Sequence, residues 1–138
     1  VVPSSQEYQI KCWTRNPGTT FFLSMEVPAN IQFENGATTT KVDGYIDVHT
    51  DFAPELITRV RYLVDATEGQ TLTFALTSPN IDSLSIGLVG EEDGQAYDRY
   101  QVKNTGGTFE VPVTQGYYLD VYSTGSKSTD FTLEVTLK

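Results

Sequence analysis

Apolar and polar residues alternate with period two along most of this 138-residue chain. In QTLTFALT, Leu72, Phe74 and Leu76 fall on one side of an extended backbone and Thr71, Thr73 and Thr77 on the other. That is the code of a strand buried on one face. DFTLEVTLK repeats it, with Phe131, Leu133, Val135 and Leu137 inward and Asp130, Thr132, Glu134 and Thr136 outward. The same rule predicts strands in EYQIKCWT, TFFLSMEV, KVDGYIDV, ITRVRYLV and SLSIGLV, and near residues 97–102, 108–113 and 117–122. No segment carries a helical period. About ten short strands, broken at regular intervals, predict an all-β fold: a two-sheet antiparallel β-sandwich. Turn chemistry agrees: ENGAT, TEGQ, EDGQ and NTGGT supply the glycines of tight reversals, and Pro28, Pro54, Pro79 and Pro112 fall at predicted strand ends.

Composition narrows the function classes. Nine basic against 18 acidic residues give a formal charge of −9, which repels phosphate backbones and argues against nucleic acid as a partner. Cationic partners and divalent ions are favoured instead. No run approaches the roughly 20 apolar residues of a membrane-spanning helix. Cys12 is the single cysteine, so no disulfide closes within the chain, and on its strand it reads as a small core hydrophobe. His49 is the single histidine, which removes two-histidine zinc sites, and no G-x-S-x-G turn accompanies the serines. The chain reads as one domain and not as an enzyme, with no cofactor required. It begins VVPSSQEY, without Met, as a processed exported chain would.

Two acidic groups and one tyrosine group are the candidate sites. Asp43, Asp47 and Asp51 alternate on the outer side of one segment together with Tyr45 and His49, and Glu91, Glu92 and Asp93 crowd a turn. Calcium is the ion such oxygens would take, although residues two apart on a strand lie nearly 7 Å apart and loop ligands would have to complete the shell. The plainer reading of both is a solvated polar surface. In TQGYYLDVYS, alternation turns Tyr117, Leu119 and Val121 inward and Tyr118, Asp120 and Tyr122 outward. With Tyr97 or Tyr100 beside them, the outward set would form a platform for a sugar ring or a protein, or simply pack across strands.

Several stretches carry a resemblance. IQFENGATTTKVDGYI, RYLVDATEGQTLTFALTSPN, FEVPVTQGYYLDVYS and DFTLEVTLK resemble the bacterial pre-peptidase C-terminal domain, a secreted β-sandwich or jelly roll. The match rests on residues 69–72, 116–118 and 131–135 and spans residues 31–138, leaving residues 1–30 as extra N-terminal strands. The same stretches are similar to the periplasmic inhibitors of goose-type and invertebrate-type lysozymes, which share a Ser-Gly-x-Tyr loop that approaches the lysozyme active site. Here those positions hold Gln115, Gly116, Tyr117 and Tyr118: the glycine and last tyrosine are kept and the serine is replaced. The resemblance implies a secreted, extracellular or periplasmic module that binds a protein or glycan. Alternatively, the chain would be a periplasmic lysozyme inhibitor acting through the Gln115 to Tyr118 loop, with Gly116 and Tyr118 the positions kept. The extra N-terminal segment would close the edge of the sandwich within the chain or, alternatively, join copies into an extracellular filament by strand addition.

Overall fold

The computed structural model describes residues 18, 27–48, 58–98, 104–123, 125 and 127–138. The strands expected in EYQIKCWT and TFFLSMEV, and with them Cys12, His49, Asp51 and Tyr100, lie outside the described residues. Among the described residues the chain forms nine strands: β1 (Ala29–Asn30), β2 (Thr39–Ile46), β3 (Arg59–Ala66), β4 (Thr71–Thr77), β5 (Leu84–Gly90), β6 (Ala96–Asp98), β7 (Gly106–Glu110), β8 (Gln115–Ser123) and β9 (Thr129–Leu137). One 3₁₀ turn at Ile81–Ser83 leads into β5.

The strands make two sheets, in the orders β1-β3-β8-β5-β6 and β2-β9-β4-β7. Every pairing is antiparallel except the two-residue contact of β1 with β3. The sheets pack face to face on the residues that alternation turned inward: Val64, Leu72, Leu84, Ile86, Leu88, Tyr117, Leu119, Val121, Leu133 and Val135 are fully buried. Burying a side chain of this size contributes about 1.5–3 kcal/mol each, so these positions dominate the fold's stability. Tyr62 stands edge-on to Phe131, ring centroids 6.2 Å apart, and its hydroxyl fills the space above Gly44, where a Cβ would sit 2.4 Å from it.

Three expected turns have the glycine in the left-handed region, Gly36 at φ 82°, Gly69 at 85° and Gly94 at 64°, where a Cβ is strained. The glycines of NTGGT do something else. Gly106 and Gly107 lie inside β7 rather than in a reversal, because the backbone of β4 passes so close that a Cβ on Gly106 would lie 2.5 Å from the Phe74 carbonyl oxygen. Just before them, Asn104 accepts from the Ile86 amide in one sheet and Thr105 accepts from the Leu76 amide in the other, at 2.8 and 2.7 Å. The chain is thereby tied to both layers as it crosses.

Candidate functional site

Register gathers three turns at one end of the sandwich. Ala66 at the end of β3 faces Gln115 at the start of β8, and Gly90 at the end of β5 faces Tyr117. Turns 67–70, 91–95 and 111–114 therefore emerge together. The first and third are tied to each other, as Gly69 donates to the Val111 carbonyl and Glu68 to the Thr114 hydroxyl, both at 2.9 Å, and Tyr117 Oη donates to the Val113 carbonyl at 2.7 Å. Held in this way, the apolar side chain of Val113 is 48% exposed, with exposed Pro112 and Thr114 on either side of it. Glu68, Glu92, Asp93 and Glu110 at the same end are exposed as well.

The positions matched to the inhibitor loop are not a loop here. Residues 115–118 open β8, and Gln115 and Gly116 are buried. They pair with β3 and, from Tyr117 on, with β5, and the Gln115 carboxamide, 6% exposed, reaches under the 91–95 turn. Its oxygen accepts from the amides of Glu92 and Asp93 at 3.0 and 3.3 Å, and its nitrogen donates to Asp93 Oδ2 at 2.9 Å. Gly116 leaves room beside it for two side-chain ends. A Cβ there would meet the Glu91 carboxylate at 2.2 Å and Leu63 at 2.8 Å. Asp93 also accepts from Tyr97 Oη at 2.5 Å and from the Gln95 amide at 2.8 Å. These donors, Tyr97 first, hold the Asp93 carboxyl below the usual carboxylate range, and the same bond pushes the Tyr97 phenol up to about 12.

The tyrosine platform needs two corrections. Asp120 is not an exposed acid between two rings: its side chain is 0% exposed. Arg61 on β3 lies directly opposite it, and the guanidinium donates from Nε and Nη2 to the two carboxylate oxygens at 2.6 and 2.7 Å. Arg59 Nη1 lies 3.5 Å from the same group and Tyr122 Oη donates to it at 3.0 Å. The Arg61 guanidinium also sits 4.4 Å from the Tyr118 ring centroid, and Tyr118 Oη donates to Glu91 at 3.0 Å. Tyr118 and Tyr122 are half-buried, and burial raises the pKa of both phenols.

Tyr97, secondly, does not join them. Its ring packs 5.0 Å from Phe109 and 5.6 Å from Tyr117, in a cluster that includes the fully buried Tyr117. A three-residue β6 next to β5 leaves that ring turned toward the sandwich interior. Sequence reading missed Arg59 and Arg61, although the outward positions of β3 hold both and only the register was needed to set Arg61 against Asp120.

The acidic groups separate. Asp43 accepts from the Thr132 hydroxyl at 2.7 Å and Asp47 from Ser128 at 2.8 Å, while Glu91 and Asp93 are engaged as described. Among the described residues no three acidic, histidine or cysteine side chains come together as a metal-ligand group. No helix of the described residues is long and apolar enough to cross a membrane.

No protein-family model and no curated protein sequence matches the chain. Solved structures do. The periplasmic inhibitor of g-type lysozyme PliG from Aeromonas hydrophila is similar with a TM-score of 0.62 at 17% identity, over 80% of this chain and 96% of that one. PliG from Salmonella Typhimurium gives 0.58 at 18%, over 80% and 97%. The pre-peptidase C-terminal domain of a collagenase from Bacillus anthracis gives 0.57 at 18%, over 83% and 98%. Both resemblances noted in the sequence thus reappear in three dimensions, and they define the class as this β-sandwich fold.

Proposed function

We propose that this chain is a non-catalytic, exported binding module that engages a basic protein through the turn-bearing end of its sandwich, and that a goose-type lysozyme is the partner to test first. The observation that carries the reading is the Gln115 clamp. It holds the 91–95 turn from below, and Val113, exposed two residues before Gln115 in the chain, lies at the same end of the sandwich. An apolar tip at an end that also exposes four carboxylates complements a basic cleft, and a preorganised tip loses little entropy on binding. Similarity to two g-type lysozyme inhibitors supports this class of partner. The contact differs from the sequence expectation in one respect: Val113 and the 91–95 turn meet the partner, while Gln115 and Gly116 support them from within.

The test is titration of the chain into goose-type, invertebrate-type and chicken-type lysozyme assays. Goose-type activity is expected to fall as the chain is added, and Val113→Asp to weaken the inhibition at least tenfold without changing the melting temperature. Full activity of all three enzymes at micromolar excess would remove lysozyme as the partner.

A further inference from the structure

Among the described residues strand β2 is the edge of its sheet, and its hydrogen-bonding parity is fixed by one contact. The Leu137 amide donates to the Thr38 carbonyl at 2.8 Å, which makes Thr38 and Leu137 a hydrogen-bonded pair in the β2–β9 register. Such pairs recur every second residue, so Thr40, Val42, Gly44 and Ile46 direct their backbone groups to β9. Thr39, Lys41, Asp43 and Tyr45 direct theirs outward, where no strand among the described residues pairs with them. The edge is eight residues long, follows β9 without a bulge and contains no proline, so three of the usual devices that discourage pairing, shortness, bulges and proline, are not used in it.

We infer that this edge pairs antiparallel with β2 of a second copy, with Val42 on the twofold axis. Only odd positions can exchange hydrogen bonds with odd positions, which leaves few registers. Centring on Lys41 sets it against the partner's Lys41, and centring on Asp43 sets two aspartates face to face. Centring on Val42 places Lys41 opposite the partner's Asp43, and Asp43 opposite the partner's Lys41, on one exposed side of the sheet. Thr39 then meets the partner's Tyr45, an exposed ring at 55% that gains a cross-strand neighbour. Lys41 already bonds Glu134 at 2.9 Å on its other side, so each copy contributes a Glu134–Lys41 pair that continues into the partner's Asp43. Oppositely charged cross-strand neighbours stabilise a ladder, and like charges destabilise it. The inference stands on this edge alone and is independent of the lysozyme reading.

Sedimentation equilibrium at low salt, from about 10 µM to about 1 mM chain, is expected to show a reversible monomer–dimer equilibrium that weakens as salt rises. K41D and D43K each create like-charge pairs and should raise the dimer dissociation constant by about tenfold or more. The double variant K41D/D43K restores both pairs between the copies while setting two carboxylates together at positions 41 and 134, so it should dimerise more tightly than either single variant without regaining the full affinity of the parent. Amide hydrogen exchange on the unmodified chain gives a second readout that needs no variant: the amides of Lys41 and Asp43 should slow with concentration while that of Val42, already bonded within the sheet, should not change. A monomer at the highest concentration overturns the proposal. So does a dimer indifferent to both single variants, or concentration-dependent protection on another strand.

Discussion

The two outer faces of this sandwich carry the same kind of ion pair in opposite settings. On the five-stranded sheet, Asp120 is fully buried beneath the Arg61 fork, with Arg59 and Tyr122 around it. On the four-stranded sheet, Lys41 and Glu134 are paired at 2.9 Å but stand in solvent, next to a row of threonines that crosses all four strands through Thr39, Thr136, Thr73 and Thr108. Hydroxyls in that row share hydrogen bonds at 2.8 and 3.2 Å. A buried carboxylate has lost its water and depends on its partners, whereas an exposed pair exchanges one solvated state for another. The first face is a fixed structural layer. The second is an open surface, and its edge is where new contacts are inferred.

The sharpest way to break this contrast is at Asp120. Asp120→Ala strands the buried end of the Arg61 fork and should lower unfolding stability by about 3–5 kcal/mol in urea titrations, while Lys41→Ala should leave the urea midpoint of the monomer unchanged. Equal losses would mean that the faces are not different in kind. Gln115→Ala removes the acceptor for two turn amides and should cost about 1–3 kcal/mol, with faster hydrogen exchange at Glu92 and Asp93. Tyr118→Ala takes away the ring beneath Arg61 and is expected to cost about 1 kcal/mol, far less than Tyr117→Ala at about 3–5.

The smallest effect is the pH dependence of the turn. Asp93 has a folded pKa below its unfolded one, so its contribution is complete above the ordinary carboxylate value and fades as pH falls through the folded value. Tyr97 is raised to about 12. Its contribution is therefore present below the ordinary phenol value of about 10 and fades as pH climbs from there. Asp93→Asn should flatten the acid limb of the urea midpoint, and Tyr97→Phe should remove a phenol transition near pH 12 in absorbance at 295 nm.

Alternation alone located the core, because a strand with one face on a packed interior must place an apolar residue at every second position, and Leu72, Leu119 and Leu133 obey that rule. It could not tell a solvated outward face from a covered one. Asp120 and Tyr45 carry the same outward code, yet one is fully buried and the other mostly exposed, since the difference lies in which strand lies alongside and what that strand presents. The Gln115 clamp was illegible for a related reason. A glutamine at the start of a strand looks like an ordinary polar residue until the neighbouring turn is placed over it.

Strand order has a temporal consequence. Both central strands, β8 between β3 and β5 and β9 between β2 and β4, come late in the chain, and Thr39 waits for Thr136, 97 positions on, before it has a neighbour. A ribosome would therefore release β2, β3, β4 and β5 before the central strands they pair with, and pairings this distant in sequence close slowly. A chain threaded N-terminus first through a narrow pore would stay extended for most of its passage and condense only as its last two strands emerged.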